Sequence, residues 1–278
     1  MVIDFKLTGR CNSNCKFCWD FCKGMQEEKL SLIIKILDKL VGVVDVISLT
    51  GGEPLVVPYF DELLEEISNR NFKIYLSTNG YLLKEHLDPI VKNVDIVGLP
   101  IDSINNKINH IMARSDEMLK ITLDNIEKLK TSSSNIVVKV GTVVTKANIN
   151  ELESLGCKIL DSYYSADYWR VYQFTAYGKA IDHYDDFFIA DETFTEISLK
   201  LKKKFKDRVS FLSSENVKEC YFFITPDLKL ALLNDINYET VLDLMTASTE
   251  EIINIIKEKK NVVKSSNINR KHLEILSK

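Results

Sequence analysis

Cys11-Asn12-Ser13-Asn14-Cys15-Lys16-Phe17-Cys18 sets three thiols apart by three residues and then by two. Between them only Phe17 is bulky and apolar, so the stretch reads as a loop rather than a buried strand, and the thiols are not core filler. Six cysteines occur in all: Cys22 follows four residues after Cys18, while Cys157 and Cys220 stand alone. The sequence opens without a basic segment leading into an apolar one, and no run of roughly eighteen apolar residues occurs, so a cytoplasmic protein without a membrane partner is expected. In that compartment clustered thiols read as metal ligands or reactive groups, not as a disulfide framework. Zinc wants a fourth ligand, for which Cys22 is the candidate, but the spacing is not that of the usual zinc knuckles. A [4Fe–4S] cluster normally takes four thiolates, of which this loop offers three.

Outward from the loop, residues 2–7 read as a strand, and residues 45–49 as a β-branched strand running into Thr50-Gly51-Gly52-Glu53-Pro54. Glycines after a strand let the backbone approach a ligand closely and adopt positive φ. Between these strands Leu30, Ile33, Ile34, Leu37, Leu40 and Val41 recur at helical spacing. The alternation continues with helix 60–67, strand 72–76 stopped by Asn79-Gly80, helix 82–91, strand 94–99, helix 118–130, strand 136–144, helix 150–159 and strand 169–174. Such alternation implies parallel pairing through right-handed crossovers. Six units fit a partial (βα)6 barrel or a doubly wound open sheet, and periodicity does not choose between them. In either, chemistry sits at the C-terminal ends of the strands, so the cysteines and the Gly-Gly-Glu-Pro run fall on one face. After residue 174 the pattern changes to helix 191–206, a hairpin of 219–225 and 228–233 around Pro226-Asp227, and helix 249–259 with a Ser or Thr cap.

The other strand ends supply further candidates. Ser77, Thr78 and Asn79 end the third strand, where turn chemistry explains them equally well. Asp102 follows the fourth, with helix N-capping as its rival role. Lys139 interrupts an apolar strand, and alternation leaves open which way it points. Arg170 and Gln173 are polar groups among apolar neighbours on the sixth strand, beside Val171 and Tyr172. The chain of 278 residues is 45% apolar and 27% charged with a net charge of −4. That allows a substantial core and gives no basic face for a long nucleic acid.

The triad, with Phe17 immediately before its last cysteine and Gly51-Gly52-Glu53-Pro54 downstream, resembles the radical S-adenosylmethionine (SAM) superfamily. The resemblance implies an α/β fold: a partial (βα)6 TIM-like barrel over residues 1–178 and a small α+β C-terminal cap over 179–278. It implies that Cys11, Cys15 and Cys18 bind three irons of a single [4Fe–4S] cluster and that SAM binds the fourth. Reductive cleavage of SAM then yields a 5′-deoxyadenosyl radical that takes a hydrogen atom from a small-molecule substrate. Phe17 would pack near the adenine, with Val171 or Tyr172 bordering it. Gly51, Gly52, Glu53 and Pro54 would hold the SAM ammonium, and Ser77, Thr78, Asn79 and Asp102 its carboxylate or ribose. An electron donor such as flavodoxin or ferredoxin, and anaerobic conditions, are expected with it.

The last third is similar in layout to the viperin branch, which dehydrates a nucleoside triphosphate. The similar stretches are Trp169-Arg170-Val171-Tyr172-Gln173, residues 188–194 opening a helix, and Ser213-Ser214-Glu215-Asn216 before the hairpin. That likeness makes Lys139 and Arg170 two phosphate-binding cations and a nucleotide the expected substrate. Three positions depart from it: Val46 and Tyr168 stand where that branch has cations, and Trp19-Asp20 where it has a histidine. A peptide- or cofactor-modifying enzyme is the alternative, and the scarcity of later cysteines argues against the auxiliary clusters such maturases carry. A non-catalytic iron–sulfur sensor is the reading from another class, and the intact Gly-Gly-Glu-Pro run speaks against it.

Overall fold

Ten strands join in one sheet in the computed structural model, which describes residues 1–19, 21–133, 135–161, 165–218, 222–233 and 237–260. Six are the expected ones: β1 (Val2–Lys6), β2 (Val46–Thr50), β3 (Lys73–Ser77), β4 (Ile96–Pro100), β5 (Val137–Val144) and β6 (Tyr168–Gln173). They are followed by β7 (Val209–Leu212), β8 (Phe222–Ile224), β9 (Lys229–Leu233) and β10 (Tyr238–Asp243). The order is β10-β9-β8-β1-β2-β3-β4-β5-β6-β7. All neighbours from β8 through to β7 are parallel, and β9 and β10 are antiparallel additions. β10 and β7 are the two edges, so the curved sheet is a partial barrel that does not close.

The helices are α1 (Leu30–Leu40), α2 (Phe60–Asn69), α3 (Leu87–Asn93), α4 (Asn106–Ile111), α5 (Met118–Ser132), α6 (Leu152–Leu160), a short α7 (Tyr184–Phe187) and α8 (Asp191–Phe205); α4 and α7 pack with Cys15 and Phe17, and the others cover the outer face. α1 buries Ile33, Ile36, Leu37 and Leu40 and α2 buries Phe60, Leu63, Leu64 and Ile67, close to the stripes their spacing demands. Each such side chain contributes about 1.5–3 kcal/mol on burial. Against them the sheet turns Ile3, Phe5, Leu7, Ile47, Leu49, Ile74, Leu76, Val97, Val138, Val140 and Trp169. Because strand side chains alternate, the intervening residues line the inner face.

Where expectation and structure differ, local chemistry explains most of it. The helix expected over 82–91 is a 3-10 turn at Leu83–His86 followed by α3, since Pro89 offers no N–H and its ring clashes with the carbonyl four residues back. β7 and β10 were not anticipated: they are short, mixed in polarity, and depend on a neighbouring strand rather than on their own pattern. The expected hairpin is present as β8 and β9, while residues 219–221, with Cys220, lie outside the described set, as does Asp20. The last elements, α9 (Ser214–Lys218) and α10 (Thr249–Lys260), complete the chain's described part. α10 opens with the anticipated cap: Ser248 Oγ accepts from the Glu251 N–H at 3.2 Å, and Glu251 accepts from the Ser248 N–H at 2.7 Å. The C-terminal strands do not form a separate layer. β8 adds to the free edge of β1, and β7 to that of β6.

Candidate active site

The cysteine loop is rooted by backbone contacts that continue the β1–β2 pairing past the strands. The Leu7 N–H donates to Thr50 O at 2.8 Å, Gly52 N–H to Thr8 O at 2.6 Å, and Glu53 N–H to Arg10 O at 2.8 Å. A Cβ on Gly52 would lie 2.2 Å from Arg10 O; one on Gly51, whose φ is +141°, would lie 2.4 Å from Thr8 O. The close approach these glycines permit is therefore to the root of the cysteine loop. Gly9 is tighter still, 1.6 Å from Cys22 O by the same measure. Cys22 itself is buried with Phe223 and Ala231, a packing role. Cys157 sits on α6, partly exposed.

Cys11, Cys15 and Cys18 all line one cavity of about 290 Å³, together with Ser13, Phe17, Gly52, Ser77, Thr78, Asn79, Asp102, Lys139 and Tyr172. Gly51, Glu53, Pro54, Val171, Arg170 and Gln173 do not line it. Among the described residues no three Cys, His, Asp or Glu side chains converge on a single ion. Thiolates on separate corners of an iron–sulfur cubane do not converge on one point, and an exposed, an intermediate and a buried thiol facing a common cavity suit such a cluster.

Glu53 is fully enclosed. Its Oε1 accepts from Thr78 Oγ1 at 2.6 Å and the Leu55 N–H at 3.1 Å, and its Oε2 from the Asn79 N–H at 2.6 Å. Burial pushes its pKa up, against the pull of those hydrogen bonds. The carboxylate thus clamps the Gly-Gly-Glu-Pro segment to the end of β3. From there the Asn79 amide reaches the cysteine loop, donating to Asn12 Oδ1 at 2.6 Å and Ser13 Oγ at 3.3 Å.

Asp102 does not cap a helix; Asn105 does, accepting from the Lys107 N–H at 2.9 Å. Asp102 instead pairs with Arg114, whose Nε and Nη2 donate to Oδ2 at 2.9 and 2.8 Å, while Oδ1 accepts from the Val143 N–H at 2.9 Å. The guanidinium lies 4.9 Å from the centre of the Phe17 ring and beside Cys15 and Cys18. Sequence reading missed Arg114. It follows Ile111-Met112-Ala113 with no motif around it, and the backbone turns at Ala113, with φ +55°, just before it.

The floor is built on the inner face of β3 to β6. Lys139 points inward and is almost fully buried. Its Nζ donates to Tyr172 Oη at 3.1 Å and lies 4.6 Å from the centre of the Tyr75 ring. Gly98 and Gly141 make room for these rings: a Cβ would sit 2.8 Å from Tyr75 Oη and 3.2 Å from the Tyr172 ring, respectively. Although burial acts the other way, the charges of Lys139 and Arg170 hold the Tyr172 phenol below its ordinary pKa. Arg170 lies behind Tyr172, 5.9 Å from its ring centre, with Nη1 on Ser210 Oγ at 3.2 Å. Tyr75 was the second residue sequence reading passed over. Of the pair Val171 and Tyr172, Val171 faces the helix-side core. Gln173 is spent on structure, donating to Asp191 Oδ1 at 2.6 Å and accepting from the Ser214 N–H at 2.9 Å.

Residues 5–155, more than half of the chain, match the radical SAM superfamily. The chain belongs to that superfamily. Its enzymes use a [4Fe–4S] cluster and SAM, and this protein is an enzyme of that class. An S-adenosylmethionine-dependent nucleotide dehydratase of Flammeovirga pacifica is 28% identical over 221 residues, 73% of each chain. One from Selenomonas ruminantium is 29% identical over 54% of this chain and 58% of its own. A GTP 3′,8-cyclase of Synechocystis sp. is 29% identical over 72% of this chain and 61% of its own, so the match spans less than two thirds of these last two relatives. Among solved structures, native anSMEcpe with bound AdoMet and Cp18Cys peptide superposes with a TM-score of 0.69 at 16% identity, over 95% of this chain and 82% of that one. SuiB of Streptococcus suis bound to the precursor peptide SuiA does so with a TM-score of 0.68 at 15% identity, over 91% and 64%. These two show a shared fold. No helix among the described residues is long and apolar enough to cross a membrane.

Proposed function

We propose that Cys11, Cys15 and Cys18 hold one [4Fe–4S] cluster with an open iron for SAM, and that the substrate is a nucleotide. The carrying observation is that the three thiols, the strand ends Gly52, Ser77, Thr78, Asn79 and Asp102, and the cation Lys139 all face one cavity. The cluster and SAM supply the hydrogen-abstracting radical; the protein orients and shields it. Phe17 and Tyr172 offer flat apolar surface for the adenine, Ser77, Thr78 and Asn79 offer hydrogen bonds, and Arg114, steadied by Asp102, offers a guanidinium beside the thiols. Lys139, with Arg170 behind it, attracts the substrate's anion. The relatives named nucleotide dehydratase and GTP 3′,8-cyclase support a nucleotide over a peptide. The electron comes from a small reductant protein of the flavodoxin or ferredoxin kind.

Anaerobic reconstitution with iron, sulfide, dithionite and SAM is expected to yield 5′-deoxyadenosine, and Cys15→Ala to abolish it. Persistence of the product in that variant defeats the cluster assignment. Ribonucleotides added separately are expected to stimulate SAM cleavage with at least one base, and the Lys139→Met, Arg170→Met double variant to lose that stimulation. Stimulation by a peptide and by no nucleotide defeats the substrate assignment.

A further inference from the structure

The layer of side chains beneath Lys139 limits what the floor can accept. Two residues towards the N-terminus along a strand keep the same face and lie one layer deeper. Lys139, Gly98, Ser48 and Asp4 are therefore followed inward by Val137, Ile96, Val46 and Val2. Those four gather with Tyr75 into an apolar cluster of their own, in which Val2, Val46, Tyr75 and Ile96 are buried and Val137 packs against them. The barrel interior is thus closed by hydrocarbon directly below the lysine. A run of phosphates reaching deeper would carry charge into apolar packing.

Charge sets the same limit. Among the described residues, the Asp, Glu, Lys and Arg side chains lining the cavity are Asp102, Arg114 and Lys139. Asp102 and Arg114 neutralise each other. Lys139 lies against two phenols, and Asp4, whose charge reaches Tyr172, does not line the cavity. Arg170 adds a second positive charge behind Tyr172, and among the described residues its buried Nε has no hydrogen-bond partner. Lys6 belongs to an adjoining cavity past Trp19, over the Phe223 ring. A phosphate monoester carries about −2, which Lys139 and Arg170 match. Every further phosphoryl group adds charge that no lining residue answers.

We infer that the floor is a subsite for one compact anion, so that the preferred substrate is a nucleotide with a single phosphate group rather than a di- or triphosphate. The inference rests on the nucleotide reading above and narrows it. The phosphate takes the Lys139 ammonium, and the Tyr172 hydroxyl turns from accepting the lysine's hydrogen bond to donating one to a phosphate oxygen.

The reconstituted enzyme is offered each nucleoside and its mono-, di- and triphosphate, with SAM cleavage as the readout. Thermal unfolding of the same protein is followed in inorganic phosphate, pyrophosphate and tripolyphosphate. A monophosphate is expected to stimulate best, and phosphate to raise Tm more than either longer anion. Lys139→Met is expected to weaken monophosphate binding roughly thirtyfold. Tyr172→Phe, which keeps the ring and removes the hydroxyl that donates to the phosphate, is expected to reduce the phosphate-dependent rise in Tm without abolishing it, giving a second test should Lys139→Met fold poorly; an undiminished rise overturns the placement of the anion at Tyr172. A triphosphate that outperforms its monophosphate, tripolyphosphate that stabilises more than phosphate, or a nucleoside as effective as its monophosphate overturns the inference. Phosphate stabilisation that depends on Lys139, with no nucleotide stimulating SAM cleavage, upholds the one-anion subsite and overturns the nucleotide reading instead.

Discussion

The mouth of the cavity and its floor are built in different ways. At the mouth, backbone meets backbone: Gly9, Gly51 and Gly52 touch the carbonyls of Cys22, Thr8 and Arg10, and two buried carboxylates, Glu53 and Asp102, tie neighbouring loops together. At the floor, side chain meets side chain: one lysine lies among two tyrosine rings. Construction from backbone tolerates almost no change of residue, whereas construction from side chains leaves room for exchange. Substitutions at the mouth should therefore disturb stability and cluster retention together, and those at the floor should act mainly on the substrate.

The largest expected effect is at the mouth. Arg114→Met leaves Asp102 buried and unpaired, and should cost about 3–5 kcal/mol in urea unfolding; a cost like that of a surface substitution would mean the pair is not a structural unit. Next, Gly52→Ala forces a Cβ onto the Arg10 carbonyl and should cost about 1–3 kcal/mol. It should also lower the iron retained per chain after reconstitution, since the cysteine loop hangs from that contact. Glu53→Gln should cost about 1–3 kcal/mol, because an amide N–H₂ replaces an acceptor facing an N–H or O–H donor. It also carries a pH signature. Burial raises the pKa of Glu53 above its ordinary value of 4.5, so the folded state holds that proton more tightly than the unfolded one. Its contribution to stability is then complete below about 4.5 and is lost as the pH rises through the elevated folded value. The Gln variant should lack that downward slope in Tm against pH. The smallest effect belongs to the floor: Tyr75→Phe should cost about 1 kcal/mol while altering the stimulation of SAM cleavage by substrate. A stability loss equal to that of Gly52→Ala would erase the contrast between the two regions.

The same contrast explains what could be read in the sequence. The mouth was legible because its contacts require particular residue types at fixed spacing, and cysteines and glycines have no substitutes there. The strands β1 to β6 were legible because each is an apolar run between helical stripes. Lys139 was visible as an oddity, but its direction followed only from the register that places it opposite Gly98 and Tyr168. Arg114 and Tyr75 left no local signal: an arginine after a turn and a tyrosine in a strand are ordinary until the fold brings Asp102 and Gly98 to them. Val171 and Gln173 were drawn towards the site by their neighbours in sequence, although strand alternation sends both to the helix side.

β1 acquires its second neighbour, β8, from residues 222–224, and the tail of the cysteine loop packs through Cys22 on Phe223 and Ala231. On the ribosome, the strand that leads into the cysteine loop keeps one open edge until more than two hundred further residues have been made. A nascent chain at that stage exposes the very ladder that invites pairing with another chain. The order of synthesis therefore favours completion of the cysteine loop's seat only once residues 222–231 have come back to β1.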